Sequence, residues 1–175
     1  MADRSDLIVD RTLVLLRHAK AVREIDGPDI DRPLAGRGRR DATAAGRWLA
    51  EQGLSADLVL CSTAVRTRET WDYAASGGAK GADVWYDRRI YEAEPRTLLE
   101  VIREVPEQAG TVLLIAHAPG VQWLAHDLIA EGAAGREGLV EHFPTSGLAV
   151  LRHTSRWSAL AAGDAELADF VIPRG

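Results

Sequence analysis

The sequence, 175 residues long, lacks the residues that several kinds of chemistry require. A single cysteine, Cys61, excludes an intramolecular disulfide and any cysteine-rich zinc module. The five histidines, at 18, 117, 126, 142 and 153, include no close H-x-x-x-H pair, so no zinc site is read from them and no metal or cofactor is expected. No apolar run approaches the roughly 18 residues that a membrane span requires. The opening Met-Ala-Asp-Arg-Ser-Asp has neither the basic start nor the apolar core of a secretory signal, which makes the cytoplasm the expected location. There is no G-x-x-x-x-G-K-[ST] loop and no G-x-G-x-x-G after a strand, which argues against nucleotide folds of those kinds. An excess of basic residues is missing as well. The net charge of -5 argues against nucleic acid or an anionic membrane as partner.

What is present is a chain long enough to bury a core in one domain. Residues 1–11 are expected to form a flexible N-terminal segment and 12–175 a single domain. Apolar, β-rich runs at Thr12–Leu16, Asp57–Cys61 and Thr111–Ala116 read as buried strands, Val84–Tyr86 and Gly147–Arg152 as further strands, and Ala168–Ile172 as an edge. Between them lie four helical stretches: Gly38–Gln52, stopped by Gly53; a helix capped by Ser62 or Thr63 and running through Ala75; Pro95–Glu104; and one opened by Pro119 and running to about Ala130. Residues 24–36 read as a loop, and Gly77, Gly78 and Gly81 mark a turn. Strand and helix alternate, which predicts an α/β fold, a three-layer α/β/α sandwich with a mostly parallel central sheet.

In such a sheet, ligands bind at the carboxyl ends of the strands. Arg17-His18 follows the first strand, Ser62 and Arg66 the second, and His117 the strong later one. Two arginines and two histidines converging on one edge suit a phosphoryl group. Arginine forks bind phosphate oxygens, and neutral imidazole is a good nucleophile at neutral pH. The stretch Arg17–Arg40 adds local positive charge, with seven Lys or Arg against four Asp or Glu. A cysteine-phosphatase reading fails by counting. Its arginine should come six residues after the cysteine, and Arg66 comes five after Cys61. His126, His142 and His153 read as ordinary structural or surface residues.

The segments LVLLRHAKA (13–21), DRPLAGRGRRDA (31–42), CSTAVRTRET (61–70), AHAPGVQWLA (116–125) and FPTSGLAVL (143–151) together resemble the histidine phosphatase superfamily, often called phosphoglycerate-mutase-like, and within it the short SixA-type branch. The resemblance runs from about residue 12 to 152. It implies a phosphoglycerate-mutase-like fold and a metal-independent phosphatase. It also implies that His18 is the nucleophile that becomes phosphohistidine, and that Arg17, Arg66 and His117 complete the phosphate pocket. Glu92, in IYEAEP, is the candidate for the acid that protonates the leaving group. The substrate implied is a phosphorylated protein, phosphohistidine above all, or a small phosphorylated molecule. Two departures stand out: Ala19 where the signature usually has Gly, and Ala118 where relatives commonly have Asn. The alternatives are a phosphosugar mutase and a non-catalytic phosphate-binding module. About 25 residues between Arg66 and Glu92 leave little material for a mutase lid, and a mere binder would need no nucleophile.

Overall fold

The computed structural model describes residues 8–175. Its centre is a six-stranded sheet in the order β5-β3-β6-β1-β7-β8, formed by β1 (Arg11–Arg17), β3 (Leu58–Ser62), β5 (Val84–Asp87), β6 (Thr111–Ala116), β7 (Leu148–His153) and β8 (Glu166–Val171). The pairs β5–β3, β3–β6 and β6–β1 are parallel, and β7 and β8 run antiparallel at one side. Two-residue strands β2 (Ser55–Ala56) and β4 (Lys80–Gly81) pair separately. The helices are α1 (Gly36–Glu51), α2 (Val65–Gly77), α3 (Pro95–Arg103), α4 (Gly120–Leu128) and α5 (Arg136–Glu141).

The strands of the sheet centre are apolar on both sides because both faces are covered, as parallel sheets require. Alternation along β1 divides the core in two. Leu13 and Leu15 join the cluster under α3, α4 and α5, with Leu98, Ile102, Leu124 and Leu139. Val14 and Leu16 join the cluster under α1 and α2, with Leu49, Trp71 and Ala74. The expected three-layer sandwich is the observed one.

Several expected boundaries move. The segment foreseen over 1–11 falls mostly on residues outside those described, and Arg11 already belongs to β1. Helix α1 starts at Gly36 rather than Gly38, because Gly36 and Arg37 face solvent and carry no apolar signal. Neither Ser62 nor Thr63 caps α2. Ala64 occupies that position, and the Ser62 hydroxyl is committed to the site. Helix α2 runs past Ala75 to Gly77, with Gly78 as its left-handed terminator (φ 116°). Helix α4 ends at Leu128, since Ile129 turns extended to bridge Ala165. Helix α5 and the β2–β4 pair had no signal strong enough to be read from the sequence.

Two glycines hold site loops against helices. A Cβ on Gly38 would collide with the backbone of Lys20, which follows His18. One on Gly120 would collide with the carbonyl of Ala93, next to Glu92.

Candidate active site

Strands β3, β6 and β1 are parallel neighbours, so their carboxyl ends open on one edge. The register pairs Arg17 with Ala116 and Cys61 with Ile115. His18 and His117 therefore leave the sheet side by side. Their ring centroids are 5.2 Å apart, with planes inclined by 56°. Arg66 comes from the first turn of α2, with its side chain 3% exposed. Arg17, His18, Arg66, His117 and Glu92 all line one cavity of about 260 Å³, joined by Lys20, Arg32 and Thr145 among others. The structure thus brings together all five residues singled out from the sequence.

Each histidine is held by one ring nitrogen. His18 Nδ1 lies 2.8 Å from the carbonyl oxygen of Ala19, which can only accept, so Nδ1 carries the proton and Nε2 keeps its lone pair. His117 Nε2 lies 2.8 Å from Ser62 Oγ. Ser62 Oγ also accepts the backbone N–H of Ala64, at 3.3 Å. Donation of the hydroxyl proton to His117 Nε2 satisfies this buried group and places the imidazole proton on Nδ1. Both rings stay neutral at physiological pH. Burial lowers His18 to about 3, helped by the charges of Arg66, Arg17 and Arg32 and opposed by the bond to Ala19. Burial, then His18 and Arg66, lower His117 to about 3. The Cys61 thiol is pushed up to about 12, mainly by burial, and is therefore inert as a nucleophile near neutral pH.

The backbone around His18 is pinned from three sides. Its N–H donates to the carbonyl of Ala116. The N–H of Ser146, which has a left-handed backbone (φ 64°), donates to the carbonyls of both Arg17 and His18. The N–H of Ala19 donates to Thr70 Oγ1, which in turn donates to the carbonyl of Arg66 at 2.6 Å. One guanidinium nitrogen of Arg17 donates to the carbonyl of Phe143. Among the described residues, Arg17 Nε, Arg66 Nε and His117 Nδ1 are buried without a hydrogen-bond partner. Buried donors left unpaired are costly, and an anion in the cavity would relieve that cost.

Sequence reasoning missed Asp29, Arg32 and Tyr91. Asp29 sits on a short 3₁₀ turn, Asp29–Asp31, within the expected loop. Its carbonyl and Oδ2 accept two bonds from Arg66 at 2.9 and 3.0 Å. Oδ1 accepts from Arg32 Nε at 2.7 Å, and Oδ2 also accepts from the Tyr91 hydroxyl at 2.7 Å. The Tyr91 bond, then Arg32 and Arg66, hold this carboxyl well below the usual range against the cost of its burial. The Tyr91 ring meets His117 edge-on at 5.5 Å and packs against the Arg66 guanidinium at 5.7 Å. The mixed charges of residues 17–40 were the signal for Asp29 and Arg32. Tyr91 had none, because its role depends on a contact 62 positions away. Glu92 borders the cavity on an exposed, left-handed residue (φ 49°). His126 lies on α4 and His153 is buried against Trp157, both away from the cavity.

The family model of the histidine phosphatase superfamily (branch 1) matches residues 13–161, and the chain belongs to that family. Rv1276c, an uncharacterized protein of Mycobacterium tuberculosis H37Rv, is 40% identical over 162 residues, which cover 91% of this chain and 100% of the relative. The structure of a protein provisionally named phosphohistidine phosphatase SixA, from Nakamurella multipartitia, is 36% identical. It matches with a TM-score of 0.85 over 96% of this chain and 99% of that one. A protein of the same provisional name from Agrobacterium tumefaciens is 29% identical, with a TM-score of 0.77 over 93% and 99% of the two chains. The expected phosphoglycerate-mutase-like fold and SixA-type resemblance therefore hold, and the chain is a phosphatase by family. Among the described residues, no helix is long and apolar enough to cross a membrane, and no cluster of His, Cys, Asp or Glu could hold a metal ion.

Proposed function

We propose that the protein is a cytoplasmic phosphohistidine phosphatase acting on a phosphorylated protein through a phosphoryl group carried on His18. The carrying observation is the pairing of a neutral His18, its Nε2 lone pair unengaged, with buried donors of Arg17, Arg66 and His117 around one cavity. In the first step His18 Nε2 attacks phosphorus and forms a P–N bond. The bond to the leaving group breaks with its electron pair, and Glu92 supplies a proton where the leaving group needs one. In the second step a water molecule attacks the phosphohistidine and gives its proton to the Glu92 carboxylate. The P–N bond then breaks, and inorganic phosphate and neutral His18 remain. Arg17, Arg66 and the Nδ1 proton of His117 stabilise the charge on the equatorial oxygens in both transition states.

Phosphohistidine is favoured because its imidazole leaves readily, so the exposed Glu92 has little to do. The names of the two SixA structures point the same way. The test is a competition at matched concentration between a phosphohistidine protein, a phosphoserine peptide, a nucleotide and 3-phosphoglycerate. Fastest release of phosphate from the phosphohistidine protein is expected. Preference for the nucleotide removes the protein-substrate reading, and faster isomerisation of 3-phosphoglycerate moves the chain to the mutases.

A further inference from the structure

Helix α1 presents a face whose charge opposes that of the whole chain. The protein carries a net charge of -5, yet Arg37, Arg39, Arg40 and Arg47 are exposed on this one helix. Thr43 and Ala44 lie three and four residues after Arg40, and Arg47 lies four and three after them, so the four form a single stripe. With Arg39 and Tyr73 of α2 they line an open groove of about 370 Å³, bordered by Gly175. The Arg39 guanidinium lies 6.0 Å from the Tyr73 ring centroid. No carboxylate side chain lines the groove. Of the acidic residues of α1, Asp41 is buried and shared by Arg37 and Arg174, and the exposed Glu51 lies one turn beyond Arg47, outside the groove lining. Among the described residues, Arg40 and Arg47 have no side-chain hydrogen bond or ion pair.

The groove is tied to the active site by structure. The N–H of Ala35, at the N-cap of α1, donates to the carbonyl of Lys20, and Gly38 packs on the Lys20 backbone. Lys20 lines the catalytic cavity. On the other side Arg174 donates to the carbonyl of Thr145, another cavity residue, while Gly175 donates its N–H to Asp41. From Arg37 to Arg47 the helix rises about 15 Å, the span of a short extended segment.

We infer that this groove on α1 docks an acidic segment of the phosphorylated protein substrate, alongside the residue that enters the catalytic cavity. The inference rests on the proposed protein-substrate reading. Charge complementarity selects the occupant. A few Asp or Glu residues match the local arginines, whereas a long nucleic acid would extend over the acidic remainder of the molecule. Docking of this kind lowers KM for protein substrates and leaves small ones unaffected.

The test uses two phosphohistidine peptides, one joined through a Gly-Ser spacer to a glutamate run and one to a matched glutamine run, with p-nitrophenyl phosphate as the small substrate. The full chain is compared with Arg39→Gln/Arg40→Gln/Arg47→Gln and with the corresponding Glu triple variant. The wild type should prefer the glutamate peptide about tenfold in kcat/KM, through KM, and lose that preference at high salt. Both variants should abolish the preference and hydrolyse p-nitrophenyl phosphate at the parental rate. Peptide binding is measured in parallel by fluorescence anisotropy. Equal affinity of wild type and variants for the glutamate peptide, or tighter wild-type binding of a single-stranded RNA of matched charge, overturns the docking surface. Charge-dependent binding with no phosphohistidine hydrolysis would retain the surface as an acidic-segment site and overturn the proposed substrate instead.

Discussion

Ser62 Oγ lies 2.8 Å from Nε2 of His117, although Ser62 ends β3 and His117 follows β6, 55 positions on. This contact decides which nitrogen of His117 carries its proton, and so whether the ring offers a donor to the cavity. Ser62→Ala should lower kcat/KM by roughly tenfold and weaken vanadate binding by a similar factor, since a buried imidazole loses its partner. Nitrogen NMR of His117 should show the Nδ1–H form in the parent and a tautomer mixture in the variant. A parental tautomer spectrum with parental rates would show that Ser62 only packs.

His18→Ala should reduce turnover at least about 10³-fold, because the two-step route disappears with the nucleophile. Quenching the parental reaction should trap an acid-labile, base-stable phosphoprotein, absent in the variant. Turnover near the parental value on any phosphate ester would exclude His18 as the phosphoryl carrier.

Arg66→Ala should cost about 10²-fold by removing charge stabilisation in the transition state. Asp29→Asn should act through Arg66 and cost less, about tenfold, since the guanidinium loses the carboxylate that aims it. The expected signature for Asp29 is a rise in KM and in the vanadate dissociation constant, with an unchanged melting temperature. A fall in melting temperature without a change in vanadate affinity would assign it a structural role.

The two histidines make stability depend on pH with a definite sign. Each is about 3 in the folded protein and near 6.5 when unfolded. Between these values the unfolded chain takes up protons that the folded chain does not. Stability is thus greatest above pH 6.5 and falls as pH drops, by up to about 1.4 kcal/mol per pH unit for each histidine. Urea unfolding at a series of pH values below 6.5 should show this slope reduced by one proton's worth in His18→Gln and in His117→Gln. Identical slopes in parent and variants would place the proton uptake elsewhere.

Glu92→Gln separates leaving groups. Alkyl phosphates, whose alkoxide needs a proton, should slow much more than p-nitrophenyl phosphate or phosphohistidine. Equal slowing of all three would leave Glu92 a binding or structural role.

The sequence by itself determined the strands, because TLVLL, DLVLC and TVLLIA are apolar runs that only a sheet covered on both faces can bury. It also pointed to a meeting of Arg17, His18, Arg66 and His117, since each closes or follows one of the three mutually parallel strands β1, β3 and β6. Local pattern could not reveal α5 or β2–β4, which are short and owe their conformation to packing and pairing with distant segments. Nor could it reveal which atoms of the site are held and by what. The anchoring of Arg66 by Asp29, the bond of Tyr91 to Asp29, the edge-on contact of Tyr91 with His117 and the hydroxyl of Ser62 on His117 are contacts between residues 26 to 62 positions apart. A hydrogen bond of under 3 Å between such residues depends on where two separate loops or strands come to rest. That position is set by the register of β1, β3 and β6 and by close approaches such as Gly38 on Lys20, which exist only once the sheet and its helices have packed.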